Sequence, residues 1–69
     1  MSYLDFEMQM SELSHVMTEL EVKKLKEMIV TIARNTTYSI FDVAGYAGYL
    51  ARKGHSCSEI IDDLARMRE

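Results

Sequence analysis

The chain has 69 residues, a formal net charge of −3, no proline, no tryptophan and one cysteine. That length fits one small domain, spanning 1–69, whose core buries roughly 60% of the unfolded surface and seldom supplies more than ~3–5 kcal/mol unaided. A lone cysteine excludes a disulfide within one chain, so self-association as a homodimer is the expected source of further stability.

Met, Leu, Ala, Glu, Lys and Ile dominate and no proline interrupts the run, which predicts an all-α fold of three or four short helices. In the first segment Tyr3, Phe6, Met10, Leu13, Met17 and Leu20 recur at spacings of three and four, the seam of a helix packed along another helix. Ser2 suits its N-cap, and Asp5 and Glu7 suit the positive end of its dipole. A seam this short needs covering by the rest of the domain or by its own copy in a second chain, and these six residues are the predicted dimerisation face. Leu4 and Met8 lie off it and leave apolar surface on a second side.

Thr18-Glu19-Leu20-Glu21 reads as a capping box that opens a second helix. Its apolar set, Val22, Leu25, Met28, Ile29, Ile32 and Ala33, is rotated from the first seam by roughly a quarter turn, which predicts a bend or a short break near Thr18. Asn35-Thr36-Thr37 ends that helix: Asn tolerates the left-handed conformation, and the threonines compete for backbone groups. Ser39-Ile40-Phe41-Asp42 caps a third helix that runs through Lys53 and stops at Gly54. Ser56-Cys57-Ser58-Glu59 caps a fourth, with Ile60, Ile61, Leu64 and Met67 on one side.

The third helix carries Ala44, Ala47, Gly48 and Ala51 on one flank, where a neighbouring helix can approach closely. Gly45 and Gly48 each cost about 1 kcal/mol of helix propensity, which tight contact should offset. Tyr49 falls between Asp42 and Lys53 on the polar side with Tyr46 at its margin, and tyrosine is a residue type that anchors interfaces. The six methionines suit either gap-filling or an adaptable surface.

Charge is uneven. Residues 1–22 hold five acids and no Lys or Arg, residues 23–53 hold six basic residues and two acids, and residues 54–69 hold four acids and two basic residues. On the second helix Lys23, Lys26, Val30 and Arg34 share the outward face with Glu27. This basic strip, with Tyr46 and Tyr49, forms the predicted partner-binding surface.

The stretch from Leu50 to Ile60 resembles a DNA-binding helix-turn-helix, with Gly54 at the turn and Ile60 six positions later. The resemblance covers some 20 residues and departs at His55 and Asp63, where apolar residues are usual. It implies helix-turn-helix geometry in the C-terminal half and a dimeric DNA-binding regulator using Lys23, Lys26, Arg34, Arg52 and Lys53 on phosphates. Against that use, Glu59, Asp62 and Asp63 on the fourth helix would meet phosphates with like charge. Phe41-Asp42-Val43-Ala44-Gly45-Tyr46-Ala47 is similar to a helix of the all-α nucleotide pyrophosphohydrolases, which implies magnesium binding by Asp42. The Glu-Glu-x-x-Glu element of that family is absent, and Glu19 and Glu21, two apart, face different sides of a helix.

His15, His55 and Cys57 lack the paired spacing of a zinc site. Cys57 near a helix start could have a lowered pKa; its place beside the Ile60/Leu64 face predicts a packed residue instead. No nucleophile–base–acid set or phosphate-binding glycine loop can be assembled. The expectation is therefore binding without catalysis, cofactor or metal. Its most concrete form is a small cytoplasmic regulator that docks on a larger protein, such as a transcription factor, and inhibits or modulates it. In size and acidity the chain is similar to accessory inhibitors encoded by bacteriophages. A protein partner is favoured over nucleic acid, because overall acidity opposes phosphate contacts. A membrane partner is not expected, since the apolar stretch at 28–33 ends at Arg34 and no secretory pattern is present.

Overall fold

In the computed structural model, residues 3–68 are described, with side chains from Asp5 onward. They form α1 (Tyr3–Leu13), α2 (Glu19–Asn35), α3 (Ile40–Arg52) and α4 (Cys57–Arg66), with no strand among the described residues. The predicted Ser2 cap lies outside them.

Local chemistry accounts for where each helix begins. At Thr18 the hydroxyl accepts from the Glu21 N–H at 3.1 Å while the Glu21 carboxylate accepts from the Thr18 N–H at 2.9 Å. The same reciprocal pair forms at Ser39 with Asp42 and at Ser56 with Glu59. Each satisfies two N–H groups that the first turn of a helix leaves without partners. The Ser56 N–H and hydroxyl also hold the Glu59 carboxyl below its ordinary range.

Two helix ends depart from expectation. The apolar periodicity runs on to Leu20, yet α1 stops at Leu13, and residues 14–17 turn with the Val16 and Met17 N–H groups both donating to Leu13. Of the bend or short break expected near Thr18, the structure shows the break. At the end of α2 no residue takes the left-handed conformation. Side chains close this end instead: Asn35 Nδ2 donates to the Thr31 carbonyl and Thr36 Oγ1 to the Ile32 carbonyl, each at 2.7 Å. Helix α3 ends as predicted. Gly54 has φ of +92°, its N–H donates to Ala51 and the His55 N–H reaches back to Leu50 at 3.1 Å, the paired bonds of a Schellman motif.

The core takes side chains from every helix: Phe6, Met10 and Leu13 from α1; Leu25, Ile29 and Ile32 from α2; Val43, Ala44, Ala47 and Leu50 from α3; Cys57, Ile60 and Leu64 from α4. No polar or charged residue among the described ones is buried with them. Helix α3 packs against all three others, α2 also packs against α4, and α1 meets α2 more thinly. At that thin seam Lys26 bonds Glu7 at 2.6 Å and lies 5.8 Å above the Phe6 ring, closing the core with its aliphatic stem. Asp63, at a position the helix-turn-helix pattern makes apolar, is half-buried and pairs with Arg66.

Candidate docking surface

The packing of α3 sorts its residues by face. Val43, Ala44, Ala47 and Leu50 turn into the core, which sends Asp42, Tyr46, Tyr49 and Lys53 outward at spacings of four, three and four. Tyr46 is 39% exposed and Tyr49 49%, and Lys53 Nζ sits 5.5 Å from the Tyr49 ring centre. That cation–π contact leaves about half of Tyr49 exposed. Tyr38, in the turn before α3, is exposed as well.

Beside this row lies a groove of about 450 Å³ between α1 and α3. Its floor is Ala44, Gly48 and Ala51, and Gly45 and Arg52 form its α3 rim. The α1 side supplies Gln9, Glu12 and Leu13, with Val16, 70% exposed, from the turn that follows. Gln9 Oε1 is sealed from solvent and has no hydrogen-bond partner. Gly48 has a different neighbour: an added Cβ there would meet Arg52 Nη1 at 3.3 Å, so the guanidinium lies back across the space the glycine leaves.

The predicted partner-binding residues divide between two helices. Tyr46 and Tyr49 are open on α3; Lys23 and Arg34 are exposed on α2 with Val30 half-buried near them. The inner faces of α2 and α3 meet in the core, so the two strips point outward from different helices. Lys26 belongs to neither, being engaged with Glu7 and Phe6. The predicted dimerisation seam is also divided. Phe6, Met10 and Leu13 are covered by the chain itself, Met17 packs at the edge of the core, and Leu20, 62% exposed in the first turn of α2, is left out of it. The expectation for the Tyr3 side chain lies outside the described side chains. Met8 is exposed, as its off-seam position implied, whereas Met10, Met17, Met28 and Met67 fill or border the core.

Residues considered for chemistry have structural duties. Asp42 accepts from the Ser39 N–H in its capping box. Cys57 is buried at the start of α4 with Sγ 3.6 Å from the Glu21 carbonyl, and burial, then the Glu21 charge, push its thiol up from the ordinary value, so desolvation overrides the helix terminus. Among the described residues no three His, Cys, Asp or Glu side chains converge as metal ligands, and no helix is long and apolar enough to cross a membrane. Gln9, Glu12 and Val16 were missed as surface-forming residues by sequence reasoning, and Arg52 was singled out only for phosphate contact; the one advance signal of the groove was the small-residue flank of α3. Compared with models of protein families, with curated proteins and with solved structures, the chain matches none.

Proposed function

We propose that this chain is a non-catalytic helical binding protein, a small cytoplasmic regulator that docks on a larger protein and inhibits or modulates it. The reading rests on one observation: the core is closed by the chain's own helices, yet Tyr46 and Tyr49 stand open on α3, one of them beside the Lys53 ammonium. Exposed tyrosines on a rigid helix offer large contact area at small entropic cost, which is how interface anchors work. Leu20 and the basic residues Lys23 and Arg34, exposed on α2, would form a separate strip suited to an acidic surface. Affinity capture from host lysate with the wild type and a Tyr46→Ala/Tyr49→Ala double variant tests this. A stoichiometric protein recovered by the wild type and lost by an equally helical variant is expected. Recovery of DNA alone would overturn it.

One observation favours a second reading. Gly54 at φ +92° joins α3 to α4 through the tight turn that the helix-turn-helix resemblance implies. The outward side of α4, however, carries Glu59 and Asp62. DNA binding would show a steep loss of affinity between low and moderate salt, whereas a tyrosine-centred protein contact would weaken mildly.

A further inference from the structure

We infer that the α1–α3 groove is the seat of a second copy of this chain, joined across a two-fold axis with the glycine face of α3 against its own symmetry mate. Glycine within a helix costs stability relative to alanine, so its presence calls for something that approaches the backbone. Among the described residues nothing does so at Gly45, where an added Cβ would find no atom within 4 Å. Gly45 lines the groove. Its walls carry opposite charges, Glu12 on α1 and Arg52 on α3, and no ion pair joins them within the chain.

A second copy answers these features together. A two-fold contact is self-complementary, so a groove with one acidic and one basic wall presents each charge to its opposite. With α3 antiparallel to its mate and crossing at Gly48, Arg52 lies opposite Ala44 of the second copy, roughly 6 Å from the crossing point. Ala44 and Glu12 both line the groove, so the guanidinium can meet the Glu12 carboxylate of the mate. The small side chains of Ala44 and Ala51 permit the close helix approach this requires. The inference does not depend on the tyrosine reading: a dimer that captures no partner, or a monomer that captures one, separates the two.

Sedimentation equilibrium of the full chain across micromolar concentrations, with circular dichroism to confirm helicity, tests it. The wild type is expected to approach twice the chain's 8.0 kDa. Gly45→Leu fills open space in the monomer but blocks the mate, and should raise the dimer dissociation constant roughly tenfold or more with helicity intact. Arg52→Glu, at an exposed position, should do the same if Gly45→Leu loses helicity, and Glu12→Arg combined with Arg52→Glu should restore the dimer. A wild type that remains at 8.0 kDa throughout, or a dimer indifferent to both single substitutions, would overturn the inference.

Discussion

The three glycines respond to the same substitution in opposite directions, and the structure sets both sign and size. Gly45 sits inside α3 with open space around its missing Cβ. Gly45→Ala therefore adds no clash and removes the propensity penalty, a gain of roughly 0.5–1 kcal/mol. Gly48→Ala meets only the end of the Arg52 side chain at 3.3 Å, which can swing away, so a gain of similar sign and smaller size is expected. Gly54→Ala places a β-carbon at φ +92°, where L residues are strained, and should cost about 1 kcal/mol or more and fray the end of α3. Thermal unfolding followed by circular dichroism reads these differences directly, since 1 kcal/mol moves the midpoint of a domain this size by about 4–8 °C. Measurement at several dilutions separates the intrinsic effect from any change in association, because only the latter depends on protein concentration. A Gly45→Ala variant less stable than the wild type at the lowest concentration would refute the placement of that residue in open helix.

The other predictions follow from burial, caps and ionisation. Ile29→Ala removes a fully buried side chain and should cost about 2–5 kcal/mol, enough to unfold a domain of this size, as loss of the helical signal at 25 °C would show. Thr18→Ala opens the α2 capping box and should cost about 1 kcal/mol in denaturant titration, whereas Glu7→Gln, at an ion pair whose side chains are each more than a third exposed, should cost less than about 1 kcal/mol. The folded Cys57 thiol ionises above its ordinary 9.0, so its contribution is complete below that pH and is lost as pH rises through the raised value. Stability measured against pH should fall on the alkaline side for the wild type and fall less for Cys57→Ala.

Caps proved legible because they are local: Thr18, Ser39 and Ser56 each find a partner three residues on, and no tertiary information is needed to see it. The core faces of α2, α3 and α4 were legible for a related reason, since Leu25/Ile29/Ile32 and Ile60/Leu64 keep helical spacing within one uninterrupted element. The first seam misled at its far end. Met17 and Leu20 keep the spacing of Phe6, Met10 and Leu13, but periodicity carries no information about where a helix stops, and the turn at 14–17 puts them in a different frame. The end of α2 shows the same limit on a smaller scale: the residue types were right, while the bonds that Asn35 and Thr36 make depend on a carbonyl one turn back being free. The groove could not be read at all before the fold was known, because its walls come from α1 and α3 and exist only when those helices meet.

The division of the first seam changes what a second chain would be for. Had Phe6, Met10 and Leu13 faced solvent, association would be a condition of folding, and the chain alone would be unfolded. They are covered internally, by a core to which every helix contributes and which buries no polar residue among those described. Folding and association are thereby separable: the monomer can be complete, and a mate in the groove would add affinity at Gly45, Gly48 and Arg52 without supplying core. The exposed residues Glu12, Tyr46, Tyr49 and Arg52 are then free to vary without loss of the fold. Substitutions there should change binding while leaving the unfolding transition almost unmoved, and substitutions at Leu25, Ile29 or Leu64 should do the reverse.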